Sequence, residues 1–126
     1  MMSTIFPILL GGGLGALSRY GISLLAVRLF GTRFPWGTLA VNLIGCFLIG
    51  IAFSLADRGS HLMSPTIRLF FITGFLGALT TFSTFGLETT NAFRVGNLWT
   101  AAANIAINNI LGLVLVFTGM WLARIR

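Results

Sequence analysis

The sequence predicts an all-α membrane protein, and three observations lead to that prediction. Of its 126 residues, 56% are hydrophobic and only 8% are charged, whereas a soluble domain carries roughly a quarter charged residues. The apolar residues are gathered into stretches that can each cross a bilayer, which takes about 20 residues. The breaks between the stretches, GTRFPWG, DRGSHLMSP and FRVGN, combine arginine with glycine or proline, as helix ends do.

The apolar stretches predict four transmembrane helices, at residues 5–30, 37–56, 66–91 and 98–123. The first lacks a basic segment before it and a clear small-residue cleavage site after it, so we interpret it as a retained helix and not as a signal peptide. The connections are too short to hold a soluble domain. Residues 1–126 are therefore predicted to form a single four-helix transmembrane domain.

The charge of the chain comes almost entirely from arginine. There are eight basic residues, all arginine, and two acidic ones, which gives a net charge of +6. The arginines are scattered singly between apolar runs and form no patch, so they indicate contact with lipid headgroups and no nucleic-acid partner. With four crossings, Arg58, Arg68, Arg124 and Arg126 share one side of the membrane, and Arg28, Arg33 and Arg94 share the other.

This near tie in arginine count suggests an unusual assembly. Under the positive-inside rule, the difference in the number of basic residues between the two sides orients a chain in the membrane. Nearly equal numbers therefore orient it only weakly. We therefore hypothesise that the chain inserts in both orientations and pairs with an inverted copy. Gly11 and Gly15 form a GxxxG pair, which permits close helix approach in lipid. Such a pair also serves packing inside one subunit; with the balanced arginines it favours a homodimer.

Polar side chains recur on single faces of the predicted helices. Thr38 and Asn42 share one face of the second helix, and Asn104 and Asn108 share one face of the fourth. Asn109 is turned away from that face by about 100°. Polar groups at bilayer depth mark either helix contacts or a pathway. Two such faces, together with the third helix, favour a polar pathway.

The third helix carries a polar stripe beside an aromatic one. At about 100° per residue, Phe82 and Phe85 lie on a face that adjoins hydroxyl, carboxyl and amide side chains. The edges of aromatic rings carry partial positive charge, so they can replace part of the water around an anion without a full cation that would trap it. The NH₂ group of Asn42 can donate to an anion as well. The polar stripe consists of Thr80, Thr81, Thr84, Glu88 and Asn91.

Two further features are open to two interpretations each. Gly74, Gly77 and Gly86 frame a threonine-rich centre, which fits either a broken helix with ion-binding backbone groups or a continuous helix with hydroxyls bonded to its own carbonyls. Arg19 interrupts the first apolar run. It either extends its charged end toward the membrane surface or stands as a cation at the mouth of an aqueous vestibule, where it concentrates anions.

The sequence contains no enzyme signature. It has no Walker loop, HExxH, GxSxG or Cys/His cluster, and its acids Asp57 and Glu88 are about 30 residues apart. Cys46 is the single cysteine, lies in an apolar run and is interpreted as a small hydrophobic residue. His61 lies in a predicted loop without neighbouring metal-ligand residues, and we assign it no role.

Three motifs together resemble the Fluc (CrcB-type) fluoride channels. They are GGGLGALSRYGI near the start, PWGTLAVNLIG opening the second helix and TGFLGALTTFSTF in the third. The resemblance extends over the whole chain, including length, helix number and motif order. It implies a passive fluoride channel of the bacterial inner membrane that protects against fluoride toxicity. It also implies an antiparallel, dual-topology homodimer with two pores, a broken third helix and a structural sodium ion at the dimer centre.

The resemblance also assigns roles to individual residues. Phe82 and Phe85 correspond to the rings that line the fluoride path, and Asn42 corresponds to the asparagine of the pore. Gly77 and Thr80 correspond to positions whose backbone carbonyls hold sodium. Arg19 corresponds to the arginine of the first-helix motif. Four further positions correspond to a polar track in the pore: Thr38, Ser83, Thr84 and Glu88.

The chain also departs from the family pattern. Ala78 and Gly86 stand where many members have glycine and serine, and Leu111-Gly112 stands where many have Gly-Ser. The fourth helix therefore lacks the serine hydroxyl that many members have, which leaves its pore contact open. Asn104 and Asn108 are candidates for that contact, and Asn108 or Asn109 is the candidate to replace the missing serine. The three motifs together therefore predict a fluoride channel.

Two other functions are open. A proton-coupled small multidrug exporter would need a membrane carboxylate, typically in the first helix, which has none. A membrane assembly subunit without transport activity would direct its polar stripes only at helix partners.

Overall fold

The computed structural model describes residues 1–58 and 63–125, and in these two segments it is helical with no strand. Four helical spans are long and apolar enough to cross a membrane: Met2–Phe30, Trp36–Asp57, Pro65–Arg94 and Leu98–Ile125. Their ends differ from the predicted ones by a few residues. The prediction of an all-α protein with four membrane-spanning helices is confirmed. His61 and Arg126 lie outside the described residues.

The first two helices are joined by a short aromatic turn. Helix α1 (Met2–Phe30) ends at Gly31, whose φ of 78° lies in the left-handed region that favours glycine. Helix α2 (Trp36–Asp57) begins after Pro35, and the Trp36 ring lies 4.8 Å from the ring of Phe34. This turn places Thr38 and Asn42 in the first two turns of α2, close to the third span.

The third span is built from four helical pieces. Helix α3 (Pro65–Arg68) begins at Ser64, whose hydroxyl accepts a hydrogen bond from the Ile67 N–H at 3.3 Å. It continues into a π-helix, π1 (Leu69–Leu76), and then into the single turn α4 (Gly77–Leu79). Helix α5 (Phe82–Arg94) completes the span, and helix α6 (Leu98–Ile125) follows it.

Regular helical geometry lapses at the centre of this span. Thr80 and Thr81 are extended, with ψ angles of 155° and 115°. Thr81 then acts as the N-cap of α5, its hydroxyl accepting from the Thr84 N–H at 3.2 Å. A single helical count of 100° per residue therefore does not hold through Thr80 and Thr81. The predicted polar stripe keeps its helical spacing only from Phe82 onward.

The spans associate through glycines that face backbone atoms of a neighbouring span. The main contacts are α2 with α6 and α1 with π1. A Cβ atom at Gly11 or Gly15 would collide with the carbonyl oxygen of Phe70 or Phe75 in the third span. The GxxxG pair is thus used for packing inside one chain, so it does not by itself support the expected homodimer.

The interior of the bundle is small and its exterior is apolar. Val41, Leu76 and Leu79 form a buried cluster where α2 meets the third span. Large apolar side chains cover the outside, as expected where the surrounding solvent is lipid. Phe82 is among them, with 82% of its surface exposed. The core therefore sits next to the lapse in the third span and supports the residues on either side of it.

Candidate functional site

Six predicted site residues meet at a cavity of about 420 Å³, here called the phenylalanine cavity: Asn42, Gly77, Thr80, Phe82, Phe85 and Asn108. Phe82 and Phe85 lie one turn apart on α5, with ring centroids 5.5 Å apart and planes inclined by 44°. Phe85 is buried, whereas Phe82 faces outward from the bundle. The polar members of the lining are Asn42, Thr80, Thr81, Asn108 and Asn109. The structure therefore brings both rings next to amide and hydroxyl groups.

A second cavity, of about 560 Å³, is lined by three of the remaining six predicted site residues. We call it the Glu88 cavity; Thr38, Thr84, Glu88 and Asn91 contribute to its lining. The Thr38 hydroxyl donates to Glu88 Oε1 at 2.8 Å. The other carboxyl oxygen, Oε2, is shielded from solvent and accepts no hydrogen bond from the described residues. The sequence placed Glu88 in a polar stripe but gave no partner for it.

The two cavities lie on either side of the first turn of α5 and are connected by hydroxyl groups. Thr81 lines the phenylalanine cavity and Thr84 lines the Glu88 cavity. The Thr81 hydroxyl donates to Thr84 Oγ1 at 3.0 Å and lies 3.3 Å from Ser83 Oγ. Thr38 and Asn42, one turn apart on α2, line one cavity each. These hydroxyl groups, together with the polar linings of the two cavities, form a polar track beside the two rings.

Asn42 stabilises the extended backbone beside the rings. Its Oδ1 accepts from the Thr81 N–H at 2.9 Å, and its Nδ2 donates to the Thr81 carbonyl at 3.3 Å. The same Nδ2 donates to Asn108 Oδ1 at 3.1 Å. Both amide hydrogens of Asn42 are therefore engaged in protein hydrogen bonds. The sequence predicted an anion donor here; the geometry adds a structural task that periodicity did not indicate.

Two carbonyls lose their usual helical donors at the lapse. In a continuous helix the Thr81 N–H would bond to the Gly77 carbonyl, but it donates to Asn42 instead. The Thr84 N–H would bond to the Thr80 carbonyl, but it donates to the Thr81 hydroxyl. Gly77 and Thr80 both line the phenylalanine cavity. Carbonyls released in this way are suitable oxygen ligands for a hard cation.

The arginine beside the site is not the one that the sequence singled out. Arg19 is half-buried on α1 and lines neither cavity. Arg33, in the turn between α1 and α2, lines the Glu88 cavity. Arg33 was counted only as a residue flanking a membrane helix. The sequence feature that could have indicated its place at the site is its position in the α1–α2 turn, five residues before Thr38.

The fourth-helix asparagines occupy different environments. Asn104 is fully buried and lines neither cavity, whereas Asn108 lines the phenylalanine cavity. Asn109 also lines that cavity and donates to the carbonyl of Ile105 in its own helix at 2.7 Å. Cys46, interpreted as a small hydrophobic residue, lines the same cavity. Among the residues that the structure describes, no three acidic, histidine or cysteine side chains form a metal-ligand group.

Four membrane-spanning helices around a polar track define a small multi-pass membrane protein of the channel and transporter class. Residues 6–120 match the model of the family described as "CrcB-like protein, Camphor Resistance (CrcB)". The chain belongs to this CrcB family, which confirms the resemblance inferred from the motifs.

Similar proteins carry a functional name. The chain is 52% identical over 118 residues to the "Fluoride-specific ion channel FluC" of Salinibacter ruber, covering 94% of this chain and 87% of that protein. It is 44% identical over 128 residues to the protein of that name in Dehalococcoides mccartyi strain BAV1, covering 98% and 95%. With that of Shewanella amazonensis the identity is 46% over 125 residues, covering 99% of both. These relatives are named as channels, in agreement with the expectation that the chain is not an enzyme.

Proposed function

We propose that the chain is a passive, fluoride-selective channel that exports fluoride across a bacterial inner membrane and protects the cell from its toxicity. The observation that carries this proposal is the polar track beside Phe82 and Phe85. It leads from the Glu88 cavity through the Thr84 and Thr81 hydroxyls to the phenylalanine cavity. The names of the relatives point to the same ion.

The chemistry of the track suits a small, strongly hydrated anion. Such an ion needs several donors at close range to replace its water, yet it must be released again. Hydroxyl groups and the edges of Phe82 and Phe85 provide weak, distributed attraction. Among the residues described as lining the phenylalanine cavity there is no arginine. An ion in it would therefore not be held by a full positive charge.

Ion flux from liposomes tests this function directly. Purified protein is reconstituted in vesicles loaded with fluoride or chloride, and efflux is followed with ion-selective electrodes. We expect rapid fluoride efflux and little chloride efflux. Exchange of protons for a cationic drug would instead favour the small multidrug exporter. No transport of either kind would favour an assembly subunit without transport activity.

We further propose that two copies pair in antiparallel orientation to give two pores. The outward-facing Phe82 ring, with 82% of its surface exposed, supports this arrangement, because a second copy would complete the wall beside it. The near-equal arginine counts support dual topology. A terminal tag should then be accessible from both sides of the membrane, and accessibility from one side only would contradict the antiparallel arrangement.

A sodium ion fits the carbonyls released at the lapse in the third span. Gly77 and Thr80 offer oxygen ligands, and both residues line the phenylalanine cavity. We propose that these carbonyls hold Na⁺ between the two copies. When bound, the ion supplies fixed positive charge that neutralises carbonyl dipoles at the interface.

Removal of sodium is therefore expected to weaken the dimer. When Na⁺ in detergent solution is replaced by a large organic cation, the dimer fraction measured by light scattering should fall by at least about twofold at low protein concentration, because binding to one state shifts the equilibrium by mass action. Return of Na⁺ should restore it. A dimer fraction that does not depend on the cation would contradict the sodium proposal while leaving the channel proposal in place.

Arg33 is expected to assist fluoride entry through long-range attraction. It lines the Glu88 cavity and so places a positive charge in the wall of that cavity. In Arg33→Gln, fluoride flux at low ionic strength should fall roughly two- to fivefold, and the deficit should vanish near 0.5 M salt because screening removes such steering. Arg94→Gln is the matched control, since Arg94 is exposed and lines neither cavity. Equal flux in the two variants at low salt would refute this role.

A further inference from the structure

A chain of side-chain hydrogen bonds leaves α5 at Thr81, crosses two other helices and returns to α5. From Asn42, which accepts from the Thr81 N–H, the chain passes to Asn108 Oδ1 at 3.1 Å. Asn108 Nδ2 donates to Asn104 Oδ1 at 2.8 Å. We call Asn42, Asn108, Asn104 and Thr89 the amide chain.

The return to α5 is made through a hydroxyl group. Asn104 Nδ2 donates to Thr89 Oγ1 at 2.9 Å, and the Thr89 hydroxyl donates to the Phe85 carbonyl at 2.8 Å. Phe85 carries one of the two rings, and Thr81 is the N-cap that precedes the other ring, Phe82. The amide chain therefore connects both ends of the turn that presents the rings.

The amide chain has a single direction. Each asparagine accepts at Oδ1 and donates at Nδ2, so reversing one amide would set donor against donor and acceptor against acceptor. Asn104 and Thr89 are buried, which makes an unpaired polar group there costly and couples the links to one another. Loss of the hydrogen bond at Thr89 is therefore expected to weaken the hydrogen bond between Asn42 and Thr81 at the other end of the amide chain.

The last two members of the amide chain are remote from the cavities. Asn104 is 0% exposed and Thr89 is 7% exposed, and neither lines the phenylalanine cavity or the Glu88 cavity. An ion in either cavity would not contact them. Any effect of Thr89 on transport must accordingly pass through the residues to which it is bonded.

We propose that Asn104 and Thr89 are positioning residues, which set the orientation of the Thr81–Phe85 turn and so hold the two rings in place for conduction. The expected effect on transport rests on the proposed channel function, whereas the expected effect on the backbone at Thr81 does not. The sequence interpreted the fourth-helix asparagines as possible pore contacts. For Asn104, which lines neither cavity, the amide chain assigns the support of a turn on another helix instead.

Removal of the Thr89 hydroxyl tests the proposal. Thr89→Val keeps the shape of the side chain and removes the link between Asn104 and the Phe85 carbonyl. We expect fluoride flux to fall about three- to tenfold, and hydrogen exchange at the remote Thr81 N–H to speed up by a similar factor, the effect typical of losing one or two hydrogen bonds in a membrane protein. Thr89→Ser retains the hydroxyl and should keep both quantities within about twofold of the wild type.

Thr90→Val provides the matched control. Thr90 is the neighbouring residue, is exposed and makes no side-chain hydrogen bond to the described residues, so both readouts should stay unchanged. Wild-type flux in Thr89→Val would overturn the proposal, and so would reduced flux with unchanged exchange at Thr81. Loss of the folded protein in both Thr89→Val and Thr89→Ala would overturn it as well, because the hydroxyl would then maintain the whole fold. If the wild type conducts no fluoride, the channel function fails, and exchange at Thr81 alone decides on the amide chain.

Discussion

Phe82→Ile and Phe85→Ile should each reduce fluoride flux by more than about tenfold, because losing roughly 1.4 kcal/mol of ion stabilisation is enough for that. Isoleucine preserves apolar bulk but has no ring edge with partial positive charge. The two rings lie 5.5 Å apart beside the same cavity, so either substitution leaves one ring alone with the ion. Flux from liposomes containing equal amounts of protein gives the measurement.

The two substitutions should differ in their effect on stability. Phe85 is 9% exposed and Phe82 is 82% exposed. Replacing Phe85 leaves a small cavity in the bundle and should lower the free energy of unfolding by about 1–3 kcal/mol. Replacing Phe82 should leave the stability of a single chain almost unchanged. A flux loss in both variants, with a stability loss in only one, would separate ion contact from packing.

Phe93→Ile is the matched control for both ring variants. Phe93 lies on the same helix, is 48% exposed and lines neither cavity. Its substitution makes the same chemical change away from the polar track, and wild-type flux is expected. Wild-type flux in Phe82→Ile and Phe85→Ile would show that these rings serve only packing, and the proposed ion contact would then be wrong.

The fold was predictable because lipid imposes a simple rule. Backbone groups in a bilayer must be satisfied within a helix, so apolar stretches of about 20 residues translate directly into spans. The resemblance of TGFLGALTTFSTF to a known family assigned Phe82 and Phe85 to one path, and the structure places both at one cavity. Periodicity alone left the two rings equally consistent with a helix contact.

Other parts of the site were not predictable, because they depend on contacts between distant residues. The extended backbone at Thr81 is held by Asn42, which lies 39 residues away in the chain. A helical count for one span cannot represent a hydrogen-bond partner that another span supplies. Arg33 was overlooked for a similar reason: only the folded turn between α1 and α2 places it at the same cavity as Glu88.

The packing contacts of the glycines could also be assigned only from the structure. The GxxxG motif at Gly11 and Gly15 fitted both packing inside one chain and contact between two chains. The backbone of the third span occupies the space beside both residues, which settles the question for this pair. The packing role of Gly50 on α2 likewise depends on the structure. The structure identifies its partner, Gly119, and the close approach of α2 to α6.

Gly50→Ala should destabilise the protein even though alanine is the better helix former. A Cβ at Gly50 would collide with the Val116 carbonyl oxygen, and a Cβ at Gly119 would collide with that of Phe47. Because backbone atoms cannot rotate away, α2 and α6 must separate, and overpacking of this kind costs about 1–3 kcal/mol or more. Thermal unfolding in detergent should show a lower midpoint for Gly50→Ala and for Gly119→Ala.

Gly13→Ala supplies the contrast that makes this prediction decisive. A Cβ at Gly13 meets nothing within 4 Å, so its only effect is the gain in helix propensity of up to about 1 kcal/mol. The same substitution should therefore change the unfolding midpoint in opposite directions at the two sites. An equal or higher midpoint for Gly50→Ala would mean that α2 and α6 are not held in this close contact. Because Asn42 on α2 and Asn108 on α6 depend on that contact for their hydrogen bond, the variants that separate the helices should also lose fluoride flux.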